Sequence, residues 1–134
     1  MKRLLIALSI VALNGCAMYD AYMLTGFDPS EYRIITEIRT DANSYKTSCA
    51  NPALAPVNAT ALADKTKLFM LYSEHIPNNA NVYSASKNLD AIAQGLSAKY
   101  KEATPVSPVF CKLKYESIES SANTMQTIIG KRPR

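Results

Sequence analysis

The chain has 134 residues, 15 Lys and Arg against 11 Asp and Glu, a formal charge of +4, one His and three Cys. That length accommodates one domain with a modest core, and a single histidine with no converging Cys or carboxylate spacing excludes a metal centre. Two of the basic residues, Lys2 and Arg3, belong to an N-terminal segment with the marks of export; without residues 1–15 the balance is 13 to 11 and the charge +2. This is too little for the basic stripe that nucleic-acid binding requires, so no nucleic-acid partner is expected.

Met1-Lys2-Arg3 is followed by an uncharged apolar run over residues 4–13 (LLIALSIVAL) and then by Asn14-Gly15-Cys16. A basic start, a short apolar stretch and a small residue before the cut describe a secretory signal peptide over residues 1–15. A bilayer-spanning helix needs about 20 apolar residues, which this run does not supply.

Leu13-Asn14-Gly15-Cys16 resembles the lipobox of bacterial lipoproteins. The resemblance implies cleavage before Cys16, a diacylglyceryl group on its sulfur and fatty acylation (palmitate) of the new amino group. Ala17, where an Asp would signal retention at the inner membrane, implies an outer-membrane lipoprotein facing the periplasm. Buried lipid chains contribute about 0.8 kcal/mol per methylene, so two or three hold almost irreversibly. Residues 16–27 then read as a lipidated tether that, at about 3.3 Å per residue, reaches a few tens of Å at most.

Residues 28–130 read as a helical bundle domain and residues 131–134 as a basic tail trailing from it. The first helix opens at Asp28-Pro29-Ser30-Glu31, with a capping Asp, Pro at the first helical position and an acid three residues after the cap. Ile35, Ile38, Ala42, Tyr45 and Cys49 recur at spacings of three and four and mark its apolar face. Asn51-Pro52 ends it. A Pro-containing loop over residues 52–57 leads to Asn58 as the expected cap of the second helix. There Leu62, Phe69, Tyr72 and Ile76 form the stripe, widened by Leu68 and Leu71.

Pro77-Asn78-Asn79 is a turn signal. The third helix carries Ala85, Leu89, Ile92, Leu96 and Tyr100; Gly95 inside it costs about 1 kcal/mol relative to Ala and suggests a close helix crossing. The fourth opens at Ser107-Pro108, again cap and Pro. Its Cys111, Tyr115, Ile118, Ala122, Met125 and Ile129 alternate by four and three, with Gly130 as the expected C-terminal cap. The pattern predicts an all-α, antiparallel bundle of about four helices packed up-down-up-down.

With Cys16 assigned to lipid, Cys49 and Cys111 remain, and an oxidising periplasm makes them a disulfide pair. Up-down-up-down packing places the end of the first helix beside the start of the fourth, where these residues stand. Two buried free thiols are the alternative.

No catalytic residues are expected, and no cofactor. His75 sits at the end of the second helix, where the dipole favours it. Glu37 and Asp41 are four apart and face the same way, but Arg33 and Lys112 lie four residues before Glu37 and Glu116, as in exposed ion-pair faces. Tyr32, Tyr45, Tyr72, Tyr83, Tyr100 and Tyr115 are expected to edge the core with hydroxyls outward; the alternative is that some of them form an aromatic groove for a partner helix or peptide.

The lipidated cysteine, the helical bundle and the Cys pair around a Pro-rich turn (Ala103-Thr104-Pro105 to Phe110-Cys111) resemble the type II secretion pilotins. Size and composition are also similar to small phage- and plasmid-encoded lipoproteins. The first resemblance implies a non-enzymatic accessory module that binds an envelope protein. The second implies a role in excluding superinfecting phage or incoming plasmids, or in host lysis. The oligomeric state and the partner-binding residues are not legible.

Overall fold

The computed structural model describes residues 24–134. The signal peptide, Cys16, Ala17 and the first part of the tether lie outside the described residues.

Four helices make the domain: α1 (Pro29–Tyr45), α2 (Leu54–Glu74), α3 (Ala80–Lys99) and α4 (Pro108–Gly130), with a short 3-10 turn at Lys46–Ser48. Asp28 caps α1 as expected, its carboxylate accepting from the Glu31 N–H at 2.7 Å. Ile34, Ile35, Ile38 and Ala42 form its buried face, and Cys49 follows just past the 3-10 turn. Ser107 caps α4 by accepting from the Phe110 N–H at 3.1 Å. The whole stripe from Cys111 to Ile129 is buried as its period requires.

The start of α2 differs from expectation. It lies at Leu54, ahead of Asn58. Asn51 is the residue that satisfies its first turn: the side-chain oxygen accepts from the Ala53 and Leu54 N–H groups at 3.0 and 3.1 Å. Pro56 fits inside that turn because a first-turn N–H has no helical partner to lose. The Asn58 amide instead donates to the Ser48 hydroxyl at 2.8 Å.

The buried face of α2 is built on small residues, Ala55, Ala59, Ala63, Thr66 and Ser73, around Leu62 and Phe69. Leu68 and Leu71 point outward, 55% and 44% exposed, and do not widen the core. On α3 the buried set is Val82, Ser86, Leu89, Ala93 and Leu96, with Ala85, Ile92 and Tyr100 half-buried at its margin. Asp90 joins α3 to α2. Its carboxylate accepts from the Gln94 amide at 3.1 Å and lies 3.0 Å from the Thr66 hydroxyl.

Neither glycine plays its expected part. A Cβ on Gly95 would meet nothing within 4 Å, so no helix crosses closely there. Gly130 is the last residue of α4 and has no left-handed backbone; a Cβ on it would stand 3.1 Å from the Tyr32 ring. The left-handed position is Asn78, at φ 58°, in the turn before α3.

Neighbouring helices run antiparallel. α1 packs on α4 and α2, and α3 packs on α2 and α4, around one core. The bundle therefore has two ends. The near end, where residues 24–28 enter, gathers the start of α1, the α2–α3 turn and the end of α4. The far end gathers the 3-10 turn, the start of α2 and the α3–α4 connection. The Cys49–Cys111 disulfide closes the far end, with Cα atoms 5.7 Å apart, and joins the α1 region to α4.

Candidate functional site

At the near end, Glu31 departs from the capping-box role. Its side chain is wholly buried. One carboxylate oxygen accepts from the Asn79 amide at 2.7 Å and from the Ser73 hydroxyl at 2.9 Å. The other pairs with Arg132 at 2.5 Å. The second Arg132 nitrogen donates to the Asn79 side-chain oxygen at 2.6 Å. One buried carboxylate thus ties together the start of α1, the end of α2, the start of α3 and the residue beyond the cap of α4. Such a charge is retained inside a protein only when paired and fully hydrogen-bonded, as this one is.

The basic tail does not trail away. Besides Arg132, the Pro133 carbonyl accepts from the Phe27 N–H at 2.9 Å, and the Arg134 guanidinium lies 5.0 Å from the Phe27 ring centroid. Thr25 donates to the Asn78 carbonyl. The entering segment and the tail therefore hold each other against the α2–α3 turn.

The far end is indented, and prolines line it beside polar groups such as Glu102 and Thr104. A depression of about 310 Å³ is ringed by Cys49, Pro52, Pro56, Tyr100, Pro105 and Pro108, drawn from all four helix ends. A second, about 370 Å³, lies over Pro105, Val106 and Phe110 and is rimmed by Lys99 and Glu102. The two share Glu102, Thr104, Pro105 and Val106, so both border the α3–α4 connection. Leu54 and Val57 in the first turns of α2, and Val109 and Leu113 in those of α4, are exposed toward the same end of the bundle.

The remaining singled-out residues have structural surroundings. Glu37 and Asp41 both reach Lys65, at 3.5 and 2.5 Å. Burial pulls the Lys65 pKa down, but the Asp41 hydrogen bond and the two carboxylate charges outweigh it and leave it raised. Arg33 pairs with Glu37 at 3.2 Å, whereas Lys112 and Glu116 form no ion pair among the described residues. His75 stands at the α2 C-cap, exposed to solvent. Among the described residues no group of three His, Cys, Asp or Glu side chains is placed to hold a metal ion, and no helix is long and apolar enough to cross a membrane.

Tyr72 donates to Asp28 and Tyr83 to Glu74. Tyr115 reverses the expectation of an outward hydroxyl: it is fully buried, and its hydroxyl and that of Tyr100 are buried without a hydrogen-bond partner. Burial, reinforced by the neighbouring Tyr100 and Tyr45 hydroxyls, pushes the Tyr115 pKa well above its usual value.

Sequence reasoning missed the role of Arg132 and the far-end depressions. The prolines at 52, 56, 105 and 108 were the available signal for the latter, since they cluster only once α1–α2 and α3–α4 connections are brought to one end. No protein-family model matches the chain, and neither the curated proteins nor the solved structures contain a match to it.

Proposed function

We propose that the chain is an outer-membrane lipoprotein, anchored through lipid on Cys16 and facing the periplasm, that serves as a non-enzymatic, pilotin-like binding module for an envelope protein. The observation that carries this reading is polarity along the bundle. The segment leading from Cys16 enters at the near end and is held there by the tail. A proline-lined indented surface lies at the other end, while the near end carries a depression of about 340 Å³ beside Leu24, Val82 and Ile128. α3, with 20 residues, spans about 30 Å, so an anchored chain presents the far end away from its attachment.

The reading also agrees with the disulfide, since an oxidising compartment outside the cytoplasm is where such a bond persists. Its test has two parts. Metabolic labelling with a palmitate analogue should mark the wild-type chain and not Cys16→Ser, and the variant should leave the membrane fraction. Photocrosslinking in membranes should then recover a defined protein partner. A chain that remains unlabelled and soluble would remove the anchor from the proposal, and a labelled chain without any protein adduct would remove the binding function.

A further inference from the structure

We infer that the outer face of α2 pairs with the same face of a second copy of this chain, the two helices antiparallel about a two-fold axis level with Leu62 and Ala63. This goes beyond the binding-module reading above, and only its setting in a membrane rests on that reading.

Leu54, Val57, Ala61, Asp64, Leu68 and Leu71 follow one another along α2 at steps of three, four, three, four and three. That is the spacing of a coiled-coil seam, held for about two and a half heptads. At 3.6 residues per turn the stripe lies half a turn from the buried face built on Leu62, Thr66 and Phe69. All six residues are exposed, the four large ones by 44% to 62%. Those four are half of the eight large apolar side chains that the described residues expose. Apolar side chains gathered in this way mark an interaction surface.

The stripe is complementary to itself. Its steps read the same in both directions, so an antiparallel copy sets Leu54 level with Leu71, Val57 level with Leu68 and Ala61 level with Asp64. Each large apolar side chain then meets another. Each Asp64 meets the smallest residue of the stripe, which leaves room for a cation beside it, and Lys67 supplies one. Lys67 flanks the stripe on the same margin as Asp64, and neither has an ion-pair partner among the described residues. Lys65, on the other margin, is already engaged by Asp41 and Glu37. A parallel pair would set Asp64 against Asp64, and like charges oppose it. A self-complementary two-fold contact of this kind closes at two copies.

One helix pair covers less than the roughly 800 Å² per partner of a standard interface, so the contact is weak between chains in dilute solution. Confinement on a membrane raises the effective concentration and favours it. On the lipid reading of Cys16, residues 16–23 reach roughly 26 Å when extended. Two bundles can therefore lie along one bilayer with both anchors inserted.

The test places the photoreactive residue benzoylphenylalanine at Leu68, and separately at the exposed Leu113 of α4, in the full chain in its own membranes. The expected result is an adduct of twice the chain mass from Leu68, mapped by mass spectrometry to the neighbourhood of Val57 in a second copy, and none from Leu113. Asp64→Lys should lower its yield by about tenfold, because lysines then face each other across the pair, and should leave the melting temperature unchanged. Adding Lys67→Asp to Asp64→Lys should restore the yield. A crosslink mapped to residue 68 of the second copy, a yield indifferent to Asp64→Lys, or no adduct from Leu68 overturns the inference. An adduct from Leu68 to lipid or to a different protein also overturns it, the latter while leaving the binding module standing on this face. The homodimer adduct from a chain that takes no palmitate label keeps the pairing and removes the anchor.

Discussion

Arg132 and Glu31 are 101 residues apart in sequence and form a buried ion pair at 2.5 Å, the arginine side chain 9% exposed and the glutamate not at all. Removing one member of such a pair leaves an uncompensated charge in the interior, which costs about 3–5 kcal/mol. Arg132→Ala should therefore lose that much stability in urea denaturation. Arg132→Lys should lose less, because the charge stays and the bond to Asn79 goes. A loss below about 1 kcal/mol for Arg132→Ala would mean that water reaches Glu31 and solvates it.

Tyr115 carries the opposite kind of prediction. Its hydroxyl is buried without a partner, so Tyr115→Phe removes an unsatisfied polar group at little cost in shape and should stabilise the fold by about 1 kcal/mol. The variant should also change the alkaline limb. In the folded chain Tyr115 holds its proton above the ordinary value of 10.0, whereas the unfolded chain releases it there. Stability is then complete below about pH 10 and falls above it. Lys65, whose pKa is also raised, contributes in the same direction and the same range. Thermal melting from pH 8 to 11 should show the fall in the wild type and a shallower one in Tyr115→Phe.

The disulfide bridges a sequence separation of 62. Closing a loop of that length stabilises the fold by about 4 kcal/mol in the chain-entropy model. The double variant Cys49→Ser, Cys111→Ser should lose close to this amount in chemical denaturation. Non-reducing peptide mapping should find Cys49 joined to Cys111; two free thiols in the wild type would refute the bond.

The two helical glycines of the domain separate propensity from packing. Gly95→Ala adds a methyl into open space in the exposed side of α3 and should stabilise by about 1 kcal/mol. At Gly130 the new methyl meets the Tyr32 ring at 3.1 Å, which must give way, so the propensity gain should be largely lost. Differential scanning calorimetry of the pair checks the contrast.

Much of the fold was legible because α1 and α4 announce themselves by local chemistry. A capping Asp28 or Ser107 followed by proline, then a three-four apolar stripe, acts within a few residues of chain. The same locality explains the misreadings. Asn51 satisfies α2 from three residues ahead of its first turn, so the nearer Asn58 looked like the cap. Glu31 has the position of a capping-box acid, but its distant partners Ser73, Asn79 and Arg132 hold it inward. Leu68 and Leu71 fit a helical period but belong to the face away from the core, a choice made by which small residues let α3 approach. The far-end depressions have only scattered prolines as a signature, since separate helix ends supply their lining.

The sulfur bridge at the far end has a mechanical consequence. A chain held at residue 24 and pulled from the first turn of α4 would carry tension along α1 and across the Cys49–Cys111 bond. That load path is covalent between the helices and bypasses α2 and α3, whose mutual contact is packing and hydrogen bonding alone. Under pulling, the oxidised protein should yield by unravelling α1 rather than by shearing the bundle apart, and the reduced protein should come apart at lower force.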